Sequence, residues 1–336
     1  MKKKMPDPEP LILTEGYFSD QSYDSRDLMG QSINNWKQFC PYQLLPGGLS
    51  GRHRILQLHS MQIAYAHRNG GTMHNVGAPK DCLAIAVVEA CADKACFGRI
   101  KLKKGDILFF DDSHTHNFIT NNAIKFTVVS VEKKNLGRKL SKLSHILEHT
   151  IHDTDNIFTR TLNNIWERFT DSKYKKKNRV KFTEAEEEIL SIVMKLLSEQ
   201  TPVIPKLKAG EKTALDIRDS VFGHMDGKIS ITSLAKEYEV SEQTLQNSFK
   251  SLFGFTPKHF FRLLKLNLVH FELQKSTPDQ NTVLRIAFKW GFTHMGHFSH
   301  YYTELFAENP SQTLKTIYYK EEDIENLCVS RQEEML

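Results

Sequence analysis

Short apolar runs fill the first part of the chain. The clearest lie at residues 54–58, 84–88, 107–110 and 126–131, and Gly, Pro, Asn and Asp separate them. Runs of this length between turn-forming residues are typical of β-strands. Several short strands in succession favour a sandwich or a small barrel. The pattern therefore predicts a β-rich domain over residues 17–135.

The apolar spacing changes to a helical period after about residue 138. Two sets of apolar residues each fall on one face of a helix. The first set is Phe158, Leu162, Ile165, Trp166 and Phe169, and the second is Ala185, Ile189, Ile192, Val193, Leu196 and Leu197. A basic segment at residues 173–179 separates them and is expected to be a solvated loop or an arm that touches DNA. Residues 136–225 are thus predicted to form a helical connector.

Residues 226–320 contain an internal repeat with an offset of 52 to 53 residues. In each copy a short helix, a turn and a second amphipathic helix follow one another. The second helices carry apolar stripes with the same spacing, Leu245, Phe249, Leu252 and Phe253 in the first copy and Phe298, Tyr302, Leu305 and Phe306 in the second. The turn at Gly291 and Phe292 is one residue longer than the turn that Val240 closes. Ser241 is a predicted N-cap.

A long helix between the two copies is expected to hold them at a fixed separation. Thr256 and Pro257 have the residue types of an N-cap followed by the first helical position, and the apolar face continues to about residue 275. Pro310 occupies the position in the second copy that matches Pro257.

These parts are those of a helix-turn-helix, whose second helix enters the major groove of DNA. Such a helix buries one stripe and presents hydrogen-bonding groups to base edges on the opposite face. The residues predicted to face DNA are Gln243, Gln246, Asn247 and Lys250 in the first copy, and Met295, Gly296, Ser299 and His300 in the second. Amide side chains can pair with adenine in a bidentate way, so the first copy offers the stronger base readers.

The region 230–316 resembles the DNA-binding domain of the AraC/XylS family of transcription regulators. The matching residues are Leu234, Ala235, Ser241, Leu245, Phe249, Lys250, Gly254, Thr256 and Pro257, then Ile286, Ala287, Gly291, Phe292, His297, Phe298, Ser299, Phe306 and Pro310. The resemblance implies that both units read neighbouring major-groove segments of double-stranded DNA, over roughly 20 base pairs per protomer. Three residues depart from the family pattern: Asn247 and His300 replace arginines, and Ala307 replaces a glycine.

The N-terminal half is similar to the sensor half of ethanolamine-operon regulators within the same family. Trp36, Tyr42 and residues 45–51 carry this similarity. It implies a cupin-like sensor for a small-molecule effector, and it makes RNA polymerase and a second copy of the chain candidate partners. Leu140, Leu143, Ile146, Leu147 and Ile151 suit a pair of dimerising helices, and packing against the β-rich domain explains them equally well.

Charge and cysteine content agree with a DNA-binding protein of the cytoplasm. The chain carries +5, and subtracting the −5 of the acidic tail at residues 321–336 leaves +10 on the first 320 residues. That surplus suits a polyanionic partner. Five cysteines without paired CxxC spacing argue against a disulfide framework or a zinc ribbon. Neither a secretory leader nor a membrane span is expected.

Three histidines are candidates for metal ligation. Residues 105–116 resemble the second half of a cupin motif, which makes His74, His114 and His116 weak candidate ligands. A first cupin motif with a carboxylate at a fixed offset is missing from the sequence. We therefore expect no metal, no cofactor and no catalytic residue.

Taken together, the patterns predict an α+β protein that regulates transcription. Two alternative functions are compatible with the same sequence patterns. One is a cupin-type metal enzyme carrying a DNA-binding appendage, and the other is a helical bundle that contacts another protein. The matched prolines of the repeat and the amides on one exposed face favour the regulator, because a simple bundle requires neither.

Overall fold

The computed structural model describes residues 15–24, 37–38, 42–47, 49–170, 179–204, 206–222 and 230–316. Trp36, most of the basic segment (173–178) and the acidic tail (321–336) lie outside the described residues. The strands are β1 Phe18–Asp24, β2 Lys37–Gln38, β3 Tyr42–Gln43, β4 Ser50–Gln57, β5 Met61–Asn69, β6 Thr72–Gly77, β7 Cys82–Cys91, β8 Ala95–Phe97, β9 Ile100–Leu102, β10 Asp106–Asp111, β11 His116–Thr120, β12 Ile124–Glu132 and β13 Thr150–His152. The helices are α1 Lys139–Ser144, α2 Ile157–Thr170, α3 Arg179–Glu199, α4 Ala209–Phe222, α5 Ile231–Glu237, α6 Glu242–Phe253, α7 Pro257–Lys275, α8 Val283–Lys289, α9 Met295–Phe306 and α10 Pro310–Lys315.

Two antiparallel sheets form the β-rich half. One has the strand order β1-β4-β5-β12-β7-β10-β13; the other has the order β2-β6-β11-β8-β9, with β3 also paired to β6. Apolar side chains from both sheets, among them Ala64, Phe97, Phe118 and Val128, meet in one buried cluster. Because side chains alternate between the two faces of a strand, every second side chain of these strands points to the outer face of its sheet.

The outer face of the seven-stranded sheet is covered by α1, α2 and α3. Ile85 and Phe109 of the sheet share a buried cluster with Phe158 of α2 and Ile189 of α3. The carboxylate of Glu186 ties α3 to the sheet by accepting from Ser60 Oγ at 2.8 Å and from the Met61 amide at 3.0 Å.

The residues considered for a dimerising helix pair belong to this same cluster. Leu143 and Ile151 are buried in it, and Leu140, Ile146 and Leu147 pack against it. Ile151 lies in strand β13 rather than in a helix. Packing against the β-rich half therefore accounts for all five.

The outer face of the six-stranded sheet packs against the C-terminal helices. We call this the shared core: it joins Leu44, Met73, Cys96 and Ile119 of the β-rich half to Leu215 of α4 and to the buried residues of α5–α10. The molecule is thus a stack of layers, with helices α1–α3, two sheets, and then α4 with the C-terminal helices.

The predicted α+β class, with a β-rich N-terminal half and a helical C-terminal region, is confirmed. Among the described residues, no helix is both long enough and apolar enough to span a bilayer. The domain limits at 135, 225 and 320 stay predictions; β13 continues the sheet to His152, and α4 joins the core of the C-terminal helices.

Candidate nucleic-acid interface

The first unit consists of α5, a tight turn and α6. Within the turn, Glu239 adopts a left-handed backbone conformation, with φ of 53°, which ends the helical path of α5. Ser241 caps α6, since its side-chain oxygen accepts from the Thr244 amide at 3.0 Å, as the sequence predicts. Such a cap stabilises a helix by about 1 kcal/mol. Gly254, with φ of 81°, ends α6.

The two faces of α6 differ as the apolar spacing predicts. Leu245, Phe249, Leu252 and Phe253 are all buried. Gln243, Asn247 and Lys250 are exposed and Gln246 is half-buried. The side-chain Nε2 of Gln243 donates to Asn247 Oδ1 at 3.0 Å, so two of the predicted base readers lie side by side one helical turn apart. This face offers amide donors and acceptors at the N-terminal half of the helix, the part that contacts base edges in helix-turn-helix complexes.

The second unit repeats this arrangement with α8, a longer turn and α9. Gly291 is left-handed at φ of 83°, in the position that Glu239 takes in the first turn. Five residues separate α8 from α9, against four between α5 and α6, which confirms the predicted difference in turn length. Phe298, Tyr302 and Leu305 are buried, and Phe306 is half-buried against the shared core.

The outer face of α9 is poorer in base-reading groups. Gly296 and His300 are exposed, whereas Ser299 is half-buried and Met295 packs partly against the shared core. His297, which belongs to the family pattern but was not predicted to read bases, is exposed on the same stripe. Its ring stacks on that of Tyr301 one helical turn later, with the ring centres 6.3 Å apart.

Arg262 of α7 adds a cation beside α9 that the sequence did not indicate. Its guanidinium lies 3.9 Å from the centre of the Tyr301 ring. The helical spacing of α7 alone does not place Arg262 near α9, because that contact depends on how the two helices pack. The predicted limits of α7 are confirmed, and Thr256 caps it by accepting from the His259 amide at 3.3 Å.

The β-rich half touches the first unit at the C-terminal end of α6. Lys94 Nζ donates to the Lys250 carbonyl at 2.7 Å, a favourable position for a cation at the end of a helix. Glu211 of α4 accepts from Ser251 Oγ at 2.6 Å and also pairs with Lys101. A methyl group at Gly210 of α4 would come within 2.6 Å of Ser248 Oγ, so α4 and α6 are in close contact.

The three histidines named as weak metal candidates do not lie together. His74 is buried with its ring against Phe118, and Arg68 lies 2.6 Å from its Nε2. Burial lowers the pKa of His74 well below its ordinary value. His114 and His116 lie side by side with ring centres 4.6 Å apart, at the opposite end of β11 from Thr120. Burial also lowers the pKa of His116, to about 4.

Comparison with known proteins finds a family match in the C-terminal region and partial matches to curated relatives. A family model described as "Helix-turn-helix domain" matches residues 234–316. The "Probable thc operon regulatory protein" of Rhodococcus erythropolis is 27% identical over 124 residues, which cover 37% of this chain and 36% of that protein. The "XylDLEGF operon transcriptional activator" of Pseudomonas putida is 34% identical over 87 residues, covering 26% of this chain and 27% of the relative.

The match therefore spans about a third of the length of these curated relatives. Among solved structures, that of the AraC-like transcriptional activator CuxR covers 74% of this chain and 94% of its own chain, with 12% identity and a TM-score of 0.40.

Proposed function

We propose that the chain is a sequence-specific DNA-binding regulator of transcription of the AraC/XylS type, because residues 234–316 match a helix-turn-helix family and operon regulators are among its relatives. Gln243, Gln246 and Asn247 read bases in one major-groove segment, and Lys250 contacts a phosphate beside it. In the neighbouring segment Met295, Gly296, Ser299 and His300 face the DNA. Each protomer covers roughly 20 base pairs.

The observation that carries this proposal is the paired geometry of α6 and α9. Both helices bury the same stripe, Leu245 and Phe249 in α6 and Phe298 and Tyr302 in α9. Both also leave residues exposed on the opposite face: Gln243 and Asn247 in α6, and Gly296 and His300 in α9. A helix that only stabilised a bundle would have no need for two neighbouring amides on that open face. The amides of α6 supply the donors and acceptors that a base edge requires.

The contacts between the halves support control of DNA binding from the N-terminal side. The Gln43 backbone amide donates to Asn267 Oδ1 of α7 at 2.7 Å, and Gln43 Nε2 donates to the Leu305 carbonyl of α9 at 2.6 Å. Lys94 reaches the end of α6. A small molecule or partner bound to the β-rich half would act on the DNA-binding helices through these contacts.

RNA polymerase and a second copy of the chain are the proposed protein partners, and the site of action is the cytoplasm, where a bacterial-type operon regulator meets its DNA. The relatives are named for transcription regulation, and we assign no reaction to this chain.

The base-reading role is tested by replacing Gln246 and Asn247 with alanine. Each good base contact that is lost should lower affinity for the specific site by about 1–3 kcal/mol, with little change for random DNA. The specific site is first found by selecting genomic fragments with the purified protein, and both affinities are then measured by fluorescence anisotropy. The double variant Glu184→Ala/Glu187→Ala, on an exposed part of α3, is the control. An unchanged ratio of specific to random affinity would remove these residues from the reading face.

The phosphate-contacting role of Lys250 is tested by its salt dependence. Lys250→Ala should weaken binding to all sequences and reduce the slope of log affinity against log salt by about 0.9. Lys142→Ala removes another exposed charge, from α1, and should leave the slope unchanged. If both variants give the slope of the unmodified protein, Lys250 does not contact phosphate.

A further inference from the structure

Two histidines and a glutamate converge at one end of the β-rich half. His116 is the first residue of β11, His114 lies just before it, and Glu148 lies between α1 and β13. The Nε2 atom of His114 is 2.8 Å from Glu148 Oε1, and the Nδ1 atom of His116 is 3.9 Å from the same oxygen. One ligand atom from each residue can be chosen so that all three lie within 4.8 Å of one another.

The separations suit a single ion after small side-chain rotations. Ligand atoms that share a metal at about 2.1 Å lie roughly 3.0–3.5 Å from one another. Two imidazole nitrogens and one carboxylate oxygen form a donor set that zinc and neighbouring transition metals prefer, and magnesium and calcium do not. His114 and Glu148 are about half exposed, with side-chain exposures of 58% and 52%, so water can complete the coordination.

The hydrogen bonds around His114 orient its ring so that Nε2 faces the glutamate. Ser113 Oγ donates to Asp111 Oδ1 at 2.5 Å, so its oxygen is free to accept from His114 Nδ1 at 2.9 Å. With its hydrogen on Nδ1, the neutral ring directs the lone pair of Nε2 at a carboxylate oxygen. In that tautomer the Nε2 lone pair lies 2.8 Å from Glu148 Oε1 and is available to a metal ion that both atoms contact.

The other two side chains are held in place by the fold. Glu148 has a left-handed backbone, with φ of 61°, and its amide donates to the Phe109 carbonyl of β10 at 2.8 Å. A residue other than glycine in this conformation carries strain of about 1 kcal/mol or more, which the structure around it must offset. The ring of His116 is packed against Phe97, with centres 4.6 Å apart.

We propose that His114, His116 and Glu148 bind one zinc-like divalent transition-metal ion, with Ser113 and Asp111 orienting His114 from behind. The ligand set is not the one suggested by sequence, since Glu148 takes the place of His74. Glu148 is 32 residues from His116 along the chain, and no local motif connects them.

The site is tested by titrating the full-length protein with ZnCl₂ after treatment with a chelator, using calorimetry. We expect one ion per chain, and His114→Gln and Glu148→Gln should each weaken binding by at least about 100-fold. Ser113→Ala, which removes only the orienting hydrogen bond, should weaken it by about tenfold. Visible absorption bands of a Co²⁺-loaded sample should show nitrogen and oxygen coordination and should disappear in the same variants.

His59→Gln is the matched control, because His59 forms another exposed histidine–glutamate pair, with Glu15 at 3.1 Å. Both His114 and Glu148 are exposed, and circular dichroism checks that their variants fold. Wild-type protein that binds no Zn²⁺, or binds it as tightly in His114→Gln and Glu148→Gln as in His59→Gln, would overturn the proposal and leave an imidazolium–carboxylate pair. These measurements involve no DNA, so their outcome is independent of the DNA-binding proposal.

Discussion

The two helix-turn-helix units have the same frame but different surroundings. The first is held between α4 and strand β8, and its core is made of the phenylalanines 249, 253, 260 and 261, whose neighbouring rings lie 5.0–5.7 Å apart. The second has a polar chain in its core, and its helix α8 exposes Leu284 and Phe288. Equal apolar spacing therefore specifies equal helices, whereas contacts with α4 and β8 distinguish the first unit and the polar chain distinguishes the second.

The polar chain runs through the second unit in one direction. Gln274 Nε2 donates to His270 Nε2 at 3.0 Å, and His270 Nδ1 then donates to Tyr302 Oη at 2.6 Å. The Tyr302 hydroxyl donates to Thr313 Oγ1 at 2.8 Å, and Thr313 donates to the Glu308 carboxylate at 2.7 Å. With His270 neutral, every donor in this chain has an acceptor.

The largest effect is expected where the first unit touches the β-rich half. Gly254→Ala would place a methyl group 2.2 Å from the side-chain nitrogen of Asn121, at a backbone φ of 81°. Asn121 would have to move and give up its bonds with Asp93 and the Lys94 amide. Backbone strain and the lost hydrogen bonds together should lower the free energy of unfolding by about 2–3 kcal/mol, measured with urea.

Asn121→Ala/Gly254→Ala distinguishes the steric clash from the backbone strain. Removing the Asn121 side chain should not add to the loss caused by Gly254→Ala, because the new methyl group and the Asn121 amide would compete for the same space. Fully additive losses would show that the two side chains do not compete.

A pH dependence should separate the second unit from the first. Burial lowers the pKa of His270 to about 3, against an ordinary value of 6.5. The unfolded chain therefore binds a proton below pH 6.5 that the folded second unit excludes, so stability is complete above pH 6.5 and falls as the pH drops towards 3. At pH 5 the loss from this group is about 2 kcal/mol.

Hydrogen exchange is the measurement that resolves the two units. Corrected for the intrinsic rates, the amides of α9 and α10 should lose protection between about pH 7 and pH 5 more than those of α6. The charges facing His270 include Glu308, whose carboxylate lies 3.9 Å from Nδ1. Equal loss of protection in α6 and α9 would mean that protonation of His270 does not destabilise the second unit selectively.

The smallest effect is expected at the end of α9. Ala307 ends this helix with φ of 58°, in the position where Gly254 ends α6. Ala307→Gly relieves the strain of the left-handed conformation but makes the unfolded chain more flexible, so the net gain should be about 0.5–1 kcal/mol in the free energy of unfolding. The same denaturant experiment checks it, and Gly254→Ala provides the opposite exchange at the matching position of α6. A loss of stability in Ala307→Gly would show that Ala307 is not strained.

The features that the sequence predicts well depend on neighbouring residues. Ser241, Thr256 and Pro257 mark where α6 and α7 begin because capping involves residues three positions apart. The unequal turns follow from the spacing of the repeat. The exposed positions of Gln243 and Asn247 follow from helical periodicity alone, although their role as base readers stays a prediction.

The features that the sequence does not predict depend on distant contacts. Met295 is half-buried because the surface of the shared core meets α9 there, and α4 joins that core although its own sequence reads only as a connector helix. Glu148 reaches the histidines through pairing of its backbone with β10. None of these contacts leaves a local signal, since each brings together residues that are far apart in sequence.

The shared core has a practical consequence for exchanging parts between regulators. Residues 234–316 match the helix-turn-helix family, yet Ala214, Leu215, Ile217 and Val221 of α4 are buried among them. If residues 234–316 were replaced by the corresponding region of another protein, these four side chains of α4 would contact a surface that is complementary to a different neighbour. Moving the junction upstream of residue 206 would transfer α4 with its own partners and leave only the sheet contacts to be matched.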